Sequence, residues 1–363
     1  MSLAVGEPDF DTPIHIKKAG LDAIEQGWTK YSVTPGLPEL KEAICFLLKD
    51  RYSLQYEPAN VIVSVGAKQS IINAMLALLE AGDEVIIPTP AWFSYPEQVK
   101  LLGAVPVFVP TYKEDEFQLR ADVLEEKITS KTKLLILNSP NNPTGSMIEA
   151  EELSKIAALV VKNGFYLISD EIYCEILFDN RKHTSIASLG NSIKDLTITI
   201  NGFSKSYAMT GWRVGYAAGP KEIISAMGSI QGHFTSGTNT MAQRACIAAV
   251  HGPQDCVADM VREYDRRRSD IVGRLNSIEG ISCISPHGTF YAFPDISRLL
   301  GKSYRGRRIE SSLELGNYLL ESEGVGVVPG SAFLGEGHLR LSFACSLETI
   351  KDGCDRIERA LYS

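Results

Sequence analysis

Apolar positions in the first 250 residues fall into short solid runs, separated by longer stretches with a one-sided apolar face. The runs at 60–65, 84–88, 105–110, 134–137, 166–168 and 196–200 are rich in Val, Ile and Leu and end in Gly, Pro, Asn or Asp. That is the pattern of strands buried on both faces. The stretches at 13–26, 38–48, 70–79, 120–128 and 150–163 repeat apolar residues at helical spacing and predict helices. Thr12 is placed to cap the first of these, with Pro13 in its first turn.

Strand–helix alternation of this kind implies right-handed crossovers and a largely parallel sheet, the α/β class. In such sheets ligand groups gather beyond the carboxyl ends of the strands. Gly66, Asn138 to Gly145, Asp170 and Lys205 all follow apolar runs, so they are expected on one edge. After about residue 254 the pattern changes. A long helix with a charged face over 255–276, short strands near 281–284 and 290–293, a helix over 311–323, strands at 326–328 and 339–343 and a last helix from Leu347 predict a smaller α+β unit.

Length and charge narrow the possibilities. A chain of 363 residues suits one large domain with a smaller one. It is 44% hydrophobic and 22% charged, and its net charge of −8 argues against nucleic acid or an anionic membrane as partner. The basic runs Arg266-Arg267-Arg268 and Arg305-Gly306-Arg307-Arg308 are read as solvated faces. Seven cysteines without C-x-x-C spacing fit free thiols in a reducing compartment. Six histidines without metal-ligand spacing predict no metal site. No apolar run reaches the roughly 18 residues of a membrane helix, and no secretory signal is read, so a cytoplasmic protein is expected.

The chemistry concentrates at a few positions. The run at 196–200 leads into Gly202-Phe203-Ser204-Lys205-Ser206-Tyr207-Ala208-Met209-Thr210-Gly211-Trp212-Arg213-Val214-Gly215. A lysine carried by a buried strand into a Gly/Ser-rich loop can lose its proton by desolvation and attack an aldehyde. Arg213, beside glycines, suits a phosphate. Ser169-Asp170-Glu171-Ile172-Tyr173 closes another strand with an acid and a phenol. Gly66-Ala67-Lys68 sits between a strand and a helix, where backbone amides can cradle a phosphate. In Asn141-Asn142-Pro143-Thr144-Gly145 the proline holds Asn142 extended and fixes the aim of its amide. Arg340 alternates with apolar residues and suits bidentate capture of a carboxylate. A lysine that binds an aldehyde, an aspartate for a pyridinium nitrogen and an arginine for a phosphate are the groups that pyridoxal phosphate needs.

With Gly6-Glu7-Pro8-Asp9-Phe10, Tyr31 before Gly36, Gly66-Ala67-Lys68-Gln69 and Pro90-Ala91-Trp92, these motifs run nearly end to end. In that order and spacing the chain resembles a class I/II aminotransferase of the aspartate aminotransferase superfamily. The resemblance implies the pyridoxal phosphate aminotransferase fold. A large cofactor-binding domain over 17–254 would hold a mostly parallel seven-stranded sheet, and 1–16 with 255–363 would form a smaller α+β domain. Lys205 would tether the cofactor and carry the proton, with Asp170 against the pyridine nitrogen and Tyr173 against the ring's phenolic oxygen. Gly66, Ala67, Lys68, Ser204 and Arg213 would surround the phosphate. Tyr31 would reach the phosphate of a neighbouring subunit, which implies a homodimer with a shared active site. Trp92 would stack on the ring. Asn142 would donate to the ring oxygen and touch the substrate, and Gly6 and Arg340 would hold the substrate carboxylate. Glu171 is expected to point away from Asp170. His287, Tyr291, Thr12 and Ile14 are candidate neighbours of the substrate side chain.

The family's subgroup has Thr-Ser-Asn where this chain reads Thr235-Ser236-Gly237-Thr238-Asn239, so no partner-subunit phosphate role is carried over there. The resemblance also places an N-terminal arm, wrapping the partner, ahead of the motif at Gly6. The leading expectation is ping-pong transamination between L-aspartate and 2-oxoglutarate. It rests on Ala208-Met209-Thr210-Gly211-Trp212-Arg213 and Trp92-Phe93-Ser94-Tyr95-Pro96, which resemble the bacterial aspartate aminotransferase subgroup. Alanine, aromatic, kynurenine and prephenate aminotransferases and carbon–sulfur lyases would use the same residues, and stay open. A non-catalytic sensor module is a further alternative, opposed by the lack of a helix-turn-helix, linker or basic segment.

Overall fold

The computed structural model describes residues 1–362. Seven strands form the main sheet: β1 (Val61–Ser64), β2 (Glu84–Thr89), β3 (Val105–Pro110), β4 (Thr132–Asn138), β5 (Tyr166–Asp170), β6 (Thr197–Gly202) and β7 (Gly215–Ala218). Their order is β1-β7-β6-β5-β4-β2-β3. Pairs among β2 to β6 are parallel, and β7 is antiparallel to both of its neighbours. Strand periodicity sends alternate residues to opposite faces. Ile136, Ile168 and Ile198 pack on one face with Ile71, Met75, Val99 and Met227 from three helices. Leu135, Leu137 and Leu167 pack on the other with Leu153, Ile156 and Val160 from the helix Ala150–Asn163. Both faces are therefore covered, as the solid apolar runs require.

Strand β7 has no counterpart in the sequence reading. Gly-Tyr-Ala-Ala carries no β-branched residue, and tertiary pairing rather than propensity makes it a strand. Its glycine has a steric purpose. A Cβ on Gly215 would lie 2.2 Å from the Ala67 nitrogen and 2.5 Å from the Gly66 carbonyl carbon. A side chain there would keep the turn between β1 and the helix Ala67–Leu78 from closing onto the sheet. Helices Ser94–Leu101, Lys221–Phe234 and Thr240–His251 also lay outside the sequence reading.

The C-terminal part holds the helices Asp255–Ser277, Ser312–Glu323 and Leu347–Tyr362. It also holds a hairpin of β9 (Lys302–Tyr304) and β10 (Arg307–Ile309), and an antiparallel sheet of β8 (Tyr291–Ala292), β11 (Val328–Pro329) and β12 (Leu339–Ser342). The region expected as a strand at 281–284 keeps only the bridge Ser282 to Asp295. The opening residues join this part: Leu3 N donates to Gly326 O at 2.8 Å, and Ser342 N donates to Leu3 O at 2.6 Å. Gly6 is thereby brought beside Arg340.

Two readings are corrected. Arg267 and Arg268 are not a solvated face. Both are buried, with Arg267 paired to Asp9 at 2.7 Å and Arg268 to Asp179 at 2.7 Å, because the long helix packs that edge inward. Thr12 does not cap the helix Ile14–Glu25, whose cap residue Pro13 offers no side-chain bond. Among the described residues no helix is long and apolar enough to cross a membrane. Gly215→Ala is expected to cost about 1–3 kcal/mol by overpacking against backbone, read from urea unfolding. Unchanged stability would contradict the close approach of β7 to the Ala67 turn.

Candidate active site

The carboxyl ends of β4, β5 and β6, the helix starting at Ala67 and the segment 6–7 meet around a cavity of about 370 Å³. Gly6, Ala67, Lys68, Trp92, Asn142, Asp170, Tyr173, Ser204, Lys205, Arg213 and Arg340 all line it, as do Tyr95, Asn138 and Tyr291.

One end is an anion cradle. Ala67 and Lys68 open the helix Ala67–Leu78, and the first N–H groups of a helix have no intrahelical acceptor. Gly66 contributes shape rather than an amide, since its own N–H donates to Ser64 O at 2.8 Å. Its φ of +76° is left-handed, and a Cβ there would lie 2.5 Å from Arg213 Nη2. Arg213 itself holds φ +56°, with Nη1 donating to Thr210 O at 2.9 Å.

Asp170 lies at the far end, 3% exposed. Oδ1 accepts Ile172 N–H at 3.2 Å and Oδ2 accepts the Tyr95 hydroxyl at 2.6 Å. Burial pushes its carboxyl up to about 6, against the pull of those two donors. Burial lowers Lys205 to about 8. Its Nζ donates to Gly6 O at 2.5 Å and lies within 5.6 Å of the Phe290 ring centre and 5.8 Å of that of Tyr173. At pH 7 about one such amine in ten is neutral, far more than for a free lysine.

Arg340 closes the third side. Nη1 donates to Asn142 Oδ1 at 3.0 Å and Nη2 to Ala4 O at 2.8 Å, while the guanidinium lies 4.3 Å from the Tyr291 ring centre and 4.8 Å from that of Phe333. Its Nε is buried and has no partner among the described residues. Asn138 organises this corner: Oδ1 accepts Asn142 N–H at 2.8 Å, and Nδ2 donates to Asp170 O at 2.9 Å. Tyr173 and Tyr291 share a hydroxyl contact of 2.9 Å.

Glu171 points away, as expected. It is buried on the other side, accepting from Ser169 at 2.8 Å and Ser185 at 2.7 Å, with His183 Nε2 at 3.0 Å. Of the four residues offered for the substrate side chain, only Tyr291 lines the cavity. His287 faces Glu116 and Arg181, Ile14 is 63% exposed, and Thr12 is bound to Ala208 and Trp212. Tyr31 is 98% exposed and lines a separate hollow with Gly237 and Met241. The sequence placed Asn138 on the ligand edge and Tyr95 in a motif, but pointed to no role for either. The signal for Tyr95 was its place three residues after Trp92, in the first turn of a helix.

A lysine of lowered proton affinity, a dry carboxylate and two arginines meet in one cavity. The chain belongs to the family of class I and II aminotransferases, whose family model matches residues 1–357. The aspartate aminotransferase of Geobacillus stearothermophilus is 45% identical over 359 residues, covering 99% of this chain and 90% of its own. The probable aspartate/prephenate aminotransferase of Aquifex aeolicus is 43% identical over 363 residues, covering 99% and 91%. The crystal structure of the aspartate aminotransferase from Rhizobium meliloti matches with a TM-score of 0.97 at 41% identity, covering 99% and 90%. The protein is an aminotransferase with that family's fold.

Because only the neutral amine attacks a carbonyl, reductive labelling of Lys205 in the cofactor-free protein by a small aldehyde should rise with pH to a midpoint near 8. Mass spectrometry of the labelled peptide reads it. A midpoint near that of surface lysines would contradict the desolvated site.

Proposed function

We propose that this aminotransferase works with pyridoxal 5'-phosphate and moves the amino group of L-aspartate to 2-oxoglutarate in a ping-pong cycle. The observation that carries the reading is one cavity with Lys205 lowered to about 8, a buried Asp170 and a carboxylate-ready Arg340. The residues fit the cofactor. Asp170 has no lysine, arginine or histidine within ion-pair distance among the described residues, so a pyridinium would supply the cation its burial lacks. The Ala67 and Lys68 amides with Arg213 suit a phosphate, joined by Ser204. Trp92 borders the space between, where it would stack on a planar ring.

When bound, the cofactor supplies an aldehyde for the amino group and an electron sink for the substrate α-carbon. Lys205 would hold the aldehyde, and its amine would carry the substrate's α-proton. Asp170 would hold the cofactor's pyridine nitrogen in its protonated form. Tyr173 and Asn142 would donate to the ring oxygen, and Arg340 with Gly6 would hold the α-carboxylate.

Substrate class follows from the remaining charge. Lys68, Lys205, Arg213 and Arg340 are the cations lining the cavity. With the other three assigned, Lys68 remains, its Nζ 4.7 Å from the Trp92 ring centre and unpaired with any acid among the described residues. A fourth cation suits a second carboxylate, which aspartate and 2-oxoglutarate both carry. Relatives named aspartate/prephenate aminotransferases make prephenate, also a dicarboxylate, the second reading. The same reading makes the protein a cytoplasmic homodimer with Tyr31 presented to a partner's phosphate. It divides the chain into a cofactor-binding domain, 17–254, and a smaller domain, 1–16 with 255–363, that carries Gly6 and Arg340.

The test is an absorbance spectrum of protein with cofactor, before and after L-aspartate alone. A long-wavelength band that shifts on aspartate and returns on 2-oxoglutarate is expected. A band that ignores aspartate but answers alanine or an aromatic amino acid would move the substrate, and no band would remove Lys205 from its role. Lys68→Met should raise the KM for aspartate about tenfold or more, the loss of one charge-assisted bond, and leave that for alanine unchanged.

A further inference from the structure

The loop that carries Lys205 and Arg213 is in an unfavourable backbone conformation. Ala208 has φ +51° and Arg213 φ +56°, in the left-handed region that side chains other than glycine rarely adopt. Such residues persist only where surrounding structure holds them. The loop's own backbone bonds are long: Ala208 N to Lys205 O is 3.4 Å, Met209 N to Ser204 O 3.2 Å and Trp212 N to Met209 O 3.3 Å.

Shorter ties come from outside. The Thr12 hydroxyl donates to Ala208 O at 2.6 Å and accepts the Trp212 indole N–H at 3.1 Å. Thr12 is 8% exposed, so water offers little substitute. One hydroxyl thus spans the loop, from the first left-handed residue to the neighbour of the second. On the Gly20 side the Trp212 ring is packed so closely that a Cβ there would lie 2.8 Å from it. The same N-terminal segment grips the loop twice more, through Gly6 O on Lys205 at 2.5 Å and Glu7 Oε2 on Thr210 at 2.9 Å.

We propose that Thr12 is a positioning residue for phosphate capture. Its hydroxyl locks the Ala208–Trp212 turn and so aims the Arg213 guanidinium at the anion cradle of Ala67 and Lys68. The inference rests on the reading of Arg213 as the phosphate arginine. It adds a residue outside the cavity lining, which acts through Ala208 and Trp212 and touches neither substrate nor cofactor.

Thr12→Val keeps the β-branched shape and removes both hydrogen bonds, whereas Thr12→Ser keeps the hydroxyl. Dissociation constants are measured for pyridoxal phosphate and for phosphate-free pyridoxal, alongside the thermal midpoint of the cofactor-free protein. Thr12→Val should weaken pyridoxal phosphate about tenfold, the size of one misaligned charge-assisted bond, and leave pyridoxal at the wild-type value. Thr12→Ser should restore both. Equal weakening of the two ligands would overturn the proposal in favour of a purely structural hydroxyl, and so would wild-type affinity for both. If Thr12→Val does not fold, Trp212→Phe, which removes the indole donor alone, is read in the same way. Wild-type protein that binds pyridoxal phosphate no better than pyridoxal would instead remove the phosphate role of Arg213, and that arm is read before any variant.

Discussion

Desolvation of Asp170 is the constraint around which the site is built. A carboxylate at 3% exposure has lost its water, and the two hydrogen bonds from Tyr95 and Ile172 do not bring it back to the usual range. Parallel packing causes the burial, because β5 lies between β4 and β6 with helices on both faces. The cost of the buried charge is offset when a cation sits against it. The same dry wall that raises Asp170 lowers Lys205, so one physical effect, acting on opposite charges, tunes both groups toward neutral pH.

The opposite wall is built from chain ends distant in sequence. Residues 1–4 bond to the C-terminal sheet through Gly326 and Ser342, and this places Gly6 and Ala4 against Arg340. The segment then continues along the Lys205 loop, touching it at Lys205, Thr210, Ala208 and Trp212. One stretch of ten or so residues therefore links Arg340 to Lys205. Arg340 and the Lys205 loop thus share one supporting segment.

Much of the main sheet was legible in the sequence, because strands buried on both faces must be apolar throughout and helices between them must show one apolar face. β3 and the helix Ala150–Asn163 match their expected bounds. β7 was not legible, since Gly-Tyr-Ala-Ala owes its conformation to pairing with β1 and β6. Arg267 and Arg268 were misread for a related reason. A run of arginines looks solvated until Asp9 and Asp179 arrive from elsewhere in the chain to pair with them. Thr12 had the local grammar of a helix cap, but Pro13 stands at the cap position and the Trp212 indole N–H takes the acceptor side of the Thr12 hydroxyl.

By itself the sequence determined the chemical inventory: a lysine, an aspartate and an arginine after apolar runs, in an order and spacing that match the class I and II aminotransferases. Those assignments rest on covalent chemistry and on strand topology, and both are local enough to be written in the chain. The tertiary structure decided how the inventory is tuned and aimed. Tyr95 reaches Asp170, Asn138 fixes Asn142 and Asp170 together, Gly215 lets the Ala67 turn approach, and Thr12 spans the Lys205 loop. Each depends on groups far apart in the chain meeting in a water-poor interior. There distances of a few tenths of an ångström set hydrogen bonds and proton affinities, and no sequence spacing encodes them.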